Sequence, residues 1–269
     1  MTYLEIERKL REAGIAEAAE EASVLVTAFA GIPACELPFR RSENLDSPRM
    51  EAALSRRLRR EPLQYILGGW EFRGLYFSLN ADCLCPRPDT ECLVEHAVSR
   101  LPHGAVFCDI GTGSGAIAVS VLHARPDLRA VAIDISDGAL ACARQNAAHN
   151  GVGDRCVFRK CDALDPSALA ALGTFDAVVS NPPYIRTGEI ASLAPELSYE
   201  PRRALDGGED GLLFYRSILS APLLKRGGQL LFEIGFDQGD DLRRLAALHG
   251  KTCEIKKDLA GNDRVAILQ

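Results

Sequence analysis

Nowhere in the 269 residues is there an apolar run close to the roughly 20 residues that a helix needs to cross a bilayer. A helical membrane protein is thereby excluded. The opening stretch Met1-Thr2-Tyr3-Leu4-Glu5 turns acidic at once and lacks the basic-then-apolar order of an export signal, so a cytoplasmic protein is expected. Positive charge is in short supply: 31 Lys and Arg stand against 37 Asp and Glu, a net charge of -6. Nucleic-acid binding depends on clustered cations meeting phosphates, so direct DNA binding is not expected. One basic cluster, Arg56, Arg57, Arg59 and Arg60, reads as a solvated helix face. There is no Cys-x-x-Cys, and the nine cysteines are odd in number, which argues against a disulfide framework. Cys83, Cys85, Cys92 and His96 lie near one another at spacings that match no common zinc pattern. No metal is expected; buried cysteine also serves as a small apolar residue. Internal repeats and low-complexity tracts are absent too.

What is there fits an ordinary globular chain, 47% apolar and 25% charged, long enough for one large domain and a smaller one. Leu4, Ile6, Leu10, Ile15, Ala18, Ala22, Leu25, Val26 and Phe29 recur at helical spacing, broken near Gly14 and ended by Gly31-Ile32-Pro33. Ser47-Pro48 supplies an N-cap followed by a first-turn proline, and Pro62 opens another short helix ending at Gly68-Gly69. Residues 1–68 are therefore expected to form a small helical domain. Residues 69–80 switch to alternation around Arg73-Gly74 and are expected to form a β-hairpin linker. Asp89 or Thr90 is placed to cap the next helix. From residue 105 strands and helices alternate, with strands expected at 105–110, 130–135, 156–161, 177–180, 229–234, 253–255 and 264–268. The last two can pair as an antiparallel hairpin. This pattern gives an α/β, Rossmann-like sheet of seven strands covered by helices over residues 81–269.

The first strand runs into Asp109-Ile110-Gly111-Thr112-Gly113-Ser114-Gly115, where glycines let the backbone turn sharply and a ligand come close. Asp134 ends the second strand, where it can accept hydrogen bonds from ribose hydroxyls, and Asp162 ends the third, beside a bound adenine. Taken alone this also fits a nicotinamide dinucleotide fingerprint, since Gly111-x-Gly113-x-x-Ala116 and Asp134 are suitably spaced.

The fourth strand ends in Asn181-Pro182-Pro183-Tyr184. Ligands of open parallel sheets sit at the carboxyl ends of the strands, so this motif falls beside the glycine loop. An amide or aromatic amino nitrogen is a poor nucleophile because its lone pair is delocalised. The Asn181 side-chain oxygen and the Pro182 carbonyl can each accept one N–H of such a group and turn its lone pair toward an incoming methyl. The prolines stiffen the backbone, and Tyr184 offers a flat face to a planar substrate. The combination points to a methyltransferase that uses S-adenosylmethionine. Amino-group DNA methyltransferases use a similar motif, but they need a basic groove that this composition does not advertise.

The chain resembles the bacterial release-factor glutamine methyltransferases (the PrmC or HemK family) over nearly its whole length. The likeness is carried by Glu61-Pro62-Leu63-Gln64-Tyr65-Ile66-Leu67-Gly68, Glu71-Phe72, Asp109 through Gly115, Asn181 through Ile185, and Glu200-Pro201 with Gly207-Gly208 and Asp210-Gly211-Leu212. Pro86-Arg87-Pro88-Asp89-Thr90-Glu91 matches that family's signature with Asp89 in place of Glu, and Cys85 stands where Ile or Val is usual. The resemblance implies methylation of N5 of the glutamine in the Gly-Gly-Gln loop of peptide-chain release factors. It implies cofactor contacts from Asp109, Gly111, Thr112, Gly113, Ser114, Gly115, Asp134, Asp162, Ala163 and Asn181. Asn181, Pro182, Pro183 and Tyr184 would hold the glutamine, and the helical domain would help grip the protein substrate. A sister class methylates a ribosomal-protein glutamine, and only a substrate assay separates the two. A monomer is expected. The sequence suggests no role for residues 200–212.

Overall fold

The computed structural model spans residues 1–269 and divides into two units, Met1–Gly69 with Ala194–Tyr199, and Trp70–Leu193 with Glu200–Gln269. The first unit is helical: α1 (Tyr3–Glu12), α2 (Ala18–Ala30), α3 (Pro48–Leu58) and α4 (Leu63–Leu67). Thr2 and Glu5 cap α1 reciprocally, and the Ser47 hydroxyl accepts from the Met50 amide to start α3. Ile6, Leu10, Ala22, Leu25, Val26, Met50 and Leu54, spaced as helical faces, are fully or nearly fully buried in this unit.

The basic cluster is not the solvated face expected from sequence. Arg57 is buried, 4% exposed. Its guanidinium meets Glu21 at 2.5 Å and Glu196 at 3.0 Å. Arg60 pairs with Glu196 at 2.8 Å, and Arg56 with Glu61 at 2.5 Å. Glu196 sits in the short excursion Ala194–Tyr199, which joins this unit although it follows the Asn181 motif in sequence; Tyr199 also donates to the Arg59 carbonyl at 2.7 Å. Three of the four arginines thus find carboxylates within their own unit, and the cluster presents no free basic surface patch.

The second unit begins at Trp70, inside β1 (Gly69–Phe72), which is joined to β2 (Leu75–Ser78) by Arg73 and Gly74, both at positive φ as a tight hairpin turn requires. The elements α5 (Thr90–Arg100), β3 (Val106–Ile110), α6 (Ala116–Ala124), β4 (Arg129–Asp134), α7 (Asp137–His149), β5 (Cys156–Lys160), α8 (Pro166–Ala170) and β6 (Phe175–Ser180) follow. Then come α9 (Leu213–Ser220), β7 (Leu224–Glu233), α10 (Gly239–Leu248), β8 (Cys253–Lys257) and β9 (Asp263–Leu268). The sheet runs β5-β4-β3-β6-β7-β9-β8. Strands β3 to β7 pair in parallel, whereas β9 is antiparallel to both β7 and β8. All seven strands are where the apolar runs put them. The order reverses between β3 and β6, which opens the crevice where ligands of such sheets bind.

Neither Asp89 nor Thr90 caps α5 with its side chain. The Asp89 carboxylate instead pairs with Arg264 at 3.1 Å, and the Thr90 hydroxyl meets the Asn181 side chain. No helix is long and apolar enough to cross a membrane.

Candidate active site

A cavity of about 660 Å³ opens at the carboxyl ends of β3, β4 and β6, within the range of roughly 300–1,000 Å³ usual for small-molecule sites. Its wall includes Gly111, Thr112, Gly113, Ser114, Asp134, Asp162, Ala163, Asn181, Pro182 and Pro183. Residues spread over some seventy positions of sequence are thus gathered on one surface.

The glycine loop owes its shape to backbone bonding. The Gly111 and Thr112 amides both donate to the Ile133 carbonyl at 2.9 Å. Gly111 and Gly113 take positive φ, and the space a Cβ would fill at either is open. A side chain there would strain the loop and occupy the cavity wall. Asp134 is engaged on both oxygens, by the Gly113 amide and the Ser136 amide, each at 2.9 Å. The acid therefore shapes the loop as well as facing the cavity. Asp162, two residues past the end of β5, accepts from the Leu164 amide at 2.8 Å, and exposed Ile135 and Leu164 add apolar rim.

Three expected site residues are not on that wall. Asp109 is completely buried; one of its oxygens takes the Thr112 hydroxyl at 2.7 Å and the Ala118 amide at 3.2 Å. Burial pushes its carboxyl up to about 7 against those two bonds. Asp109 braces the loop from beneath. Gly115 starts α6, where a Cβ would lie 3.2 Å from that of Ala143, so its role is close packing against α7. Tyr184 packs with the apolar core between β7 and α9, and burial pushes its hydroxyl up to about 12. Its ring, expected from sequence to face a planar substrate, is packed with the core and lies off the cavity wall.

Residues 200–212 cradle the Asn181 motif. Ile185 donates to the Leu205 carbonyl at 3.1 Å, and Gly207 donates back to the Ile185 carbonyl at 2.8 Å. A Cβ on Gly207 would lie 2.7 Å from both the Pro183 oxygen and the Tyr184 Cα, and one on Gly211 would strike the Tyr184 carbonyl. Gln238 donates to that carbonyl at 3.2 Å. Buried Glu200 accepts from the Cys85 amide at 3.0 Å and pairs with Arg87, which ties this cradle to the Pro86-Arg87-Pro88 segment on the same cavity. Glu200, Gly207, Gly211 and Gln238 were missed as site-supporting residues; for Glu200 and the glycines the only sequence signal was their place in the motifs that carry the family resemblance. Gly207→Ala is expected to cost roughly 1–3 kcal/mol by forcing backbone apart. It should appear as a lower denaturant midpoint at constant slope, and an unchanged midpoint would show that the cradle yields freely.

The arrangement sets Asn181 and Pro182 on one cavity with a glycine loop and two carboxylates. Residues 88–228 match the model of the methyltransferase small domain, and residues 3–68 that of the PrmC N-terminal domain. A release factor glutamine methyltransferase of Geobacter sulfurreducens is 40% identical over 95% of this chain and 91% of its own. Another, from Enterococcus faecalis, is 42% identical over 87% and 83% respectively. Among solved structures, the hMettl16 catalytic domain superposes at a TM-score of 0.57 with 16% identity, covering 81% of this chain and 79% of that one, a likeness of fold. With both parts of the chain matched and such identity over nearly full lengths, the protein belongs to the release factor glutamine methyltransferase family.

Proposed function

We propose that this enzyme methylates the N5 side-chain amide of the glutamine in the Gly-Gly-Gln motif of peptide-chain release factors, using S-adenosylmethionine. The observation that carries the reading is that Asn181, Pro182, Gly111, Gly113 and Asp134 line one cavity. Open backbone at Gly111 and Gly113, two carboxylates and the apolar rim of Ile135 and Leu164 fit a nucleoside with a charged amino-acid tail. When bound, S-adenosylmethionine supplies an electrophilic methyl group on a sulfonium. Gly111 to Ser114 would hold its amino-acid end, Asp134 its ribose, and Asp162 and Ala163 its adenine. Asn181 Oδ1 and the Pro182 carbonyl would each accept one N–H of the glutamine amide. They fix the nitrogen in line, and such positioning is worth up to roughly 7–11 kcal/mol in well-aligned cases. The cradle of residues 200–212 keeps both acceptors in place.

Residues 1–68 would serve recognition of the protein substrate. The internal pairing of Arg56, Arg57 and Arg60 favours a protein over DNA as that substrate, and a release factor places the enzyme in the cytosol. The test is mass spectrometry of a release factor incubated with enzyme and cofactor: a gain of one methyl on the Gly-Gly-Gln glutamine supports the reading. Methylation of ribosomal protein alone would overturn it.

Asp134→Ala removes charge-assisted hydrogen bonds worth roughly 1.5–3 kcal/mol and also releases the Gly113 and Ser136 amides. Calorimetry should show S-adenosylmethionine binding weakened by about one to two orders of magnitude. Unchanged affinity in the folded variant would remove Asp134 from the site.

A further inference from the structure

The Glu233 carboxyl, at the end of β7, is 1% exposed, and its Oε2 has no hydrogen-bond partner. Nothing in the proposed reaction uses it. The hydrogen-bonding side chains set against it are Thr90 and Asn181. Thr90, itself 4% exposed, is the first residue of α5, and its hydroxyl accepts from Asn181 Nδ2 at 3.3 Å. Two buried polar groups, of which Thr90 also reaches the cavity wall, therefore stand beside the Asn181 amide nitrogen.

We propose that Thr90 and Glu233 are positioning residues that fix which way round the Asn181 amide stands, and so present its oxygen to the substrate nitrogen. The inference rests on the glutamine methyltransferase reading above. An ionised carboxylate only accepts hydrogen bonds, and a threonine hydroxyl has one hydrogen to give. When that hydrogen goes to Glu233, the Thr90 oxygen can only accept from Asn181. Asn181 must then offer Nδ2–H to Thr90, which leaves Oδ1 for the cavity. A flipped amide would set its own N–H groups against those of the glutamine, donor facing donor. Burial pushes the Glu233 carboxyl up to about 7, opposed by Thr90, Arg264 and Asn181, with Asp89 adding to the rise. At pH 8 the carboxylate is the main form, and the relay runs in one direction.

The test compares Thr90→Val and Thr90→Ser at pH 8 in single-turnover transfer to a release factor, in wild-type and Asn181→Ala backgrounds. Thr90→Val should slow transfer about tenfold, the effect of one lost orienting bond, with S-adenosylmethionine affinity within about twofold. Thr90→Ser should recover most of that loss. In Asn181→Ala, Thr90→Val should cost nothing more, because there is no amide left to orient. A second readout needs no substrate: hydrogen exchange of the Asn181 side-chain NH₂, its NMR signals assigned by their loss in Asn181→Ala. Exchange should be faster in Thr90→Val and in Glu233→Gln, whose amide can donate as well as accept. Equal Thr90→Val penalties in both backgrounds, or unchanged exchange, would overturn the relay. Should wild-type enzyme fail to methylate the factor, the functional reading falls and the exchange measurement alone decides this inference.

Discussion

Asn181→Ala is expected to slow single-turnover methyl transfer to a release factor by about 10²–10³, the usual cost of removing one preorganised polar contact to a reacting group. The variant deletes one of two acceptors and leaves a glutamine N–H unpaired inside the cavity. S-adenosylmethionine affinity should change much less, since the glycine loop and Asp134 hold their shape through bonds that do not involve Asn181. Asn181→Asp is the sharper probe. It keeps an acceptor but cannot donate to Thr90 when ionised, and it adds negative charge near the sulfonium. Tighter cofactor binding with a rate between those of Ala and Asn is expected. A release factor whose Gly-Gly-Gln glutamine is changed to Ala serves as the substrate control. Normal transfer by Asn181→Ala, or equal methylation of that control, would sink the proposed role.

Arg57→Met is expected to destabilise the protein by about 3–5 kcal/mol, the effect of breaking a buried ion pair from one side. The substitution preserves much of the side-chain volume and leaves Glu21 without its cation, while Glu196 keeps only Arg60. Chemical denaturation followed by a probe in the helical unit would report it. The accompanying double variant Arg57→Met, Glu21→Gln should recover most of the loss, because removing both members of a buried pair is far milder than orphaning one, and Glu196 keeps Arg60. If the single variant costs less than about 1 kcal/mol, Arg57 is better hydrated than its burial implies.

Much of this molecule was legible before its structure, for identifiable reasons. Strands covered on both faces read as unbroken apolar runs, so β3, β4, β6 and β7 announced themselves. The glycine loop and the Asn181 motif are local in sequence, so their placement at strand ends followed from alternation alone. What escaped were relations between distant residues. Arg57 was read as a solvated arginine because Glu21 and Glu196 lie 36 and 139 positions away. Asp89 was given to a helix cap because its real partner, Arg264, is far along the chain. Residues 200–212 gave no sign of their purpose, since a close backbone approach such as that of Gly207 to Pro183 leaves no trace but a glycine. The packing of Tyr184 against the core was hidden for a related reason: the residues it meets, such as Tyr215 and Phe232, are distant in sequence. The helices α9 and α10 were passed over because their short amphipathic stretches lie among charged and loop-like residues.

The membership of Ala194–Tyr199 in the helical unit makes the two units interleaved in sequence rather than consecutive. A domain exchange made by a single cut between Gly69 and Trp70 would transplant a bundle whose arginines lack their own Glu196, because Ala194–Tyr199 stays behind with the donor's second unit. A working chimera needs three junctions, at 69/70, 193/194 and 199/200. The same interleaving bears on synthesis: while the chain is emerging from the ribosome, Arg57 has only Glu21 to neutralise it until residue 196 is made. The amino-terminal bundle is thus made first yet completed late, after most of the parallel sheet that carries the reaction has been translated.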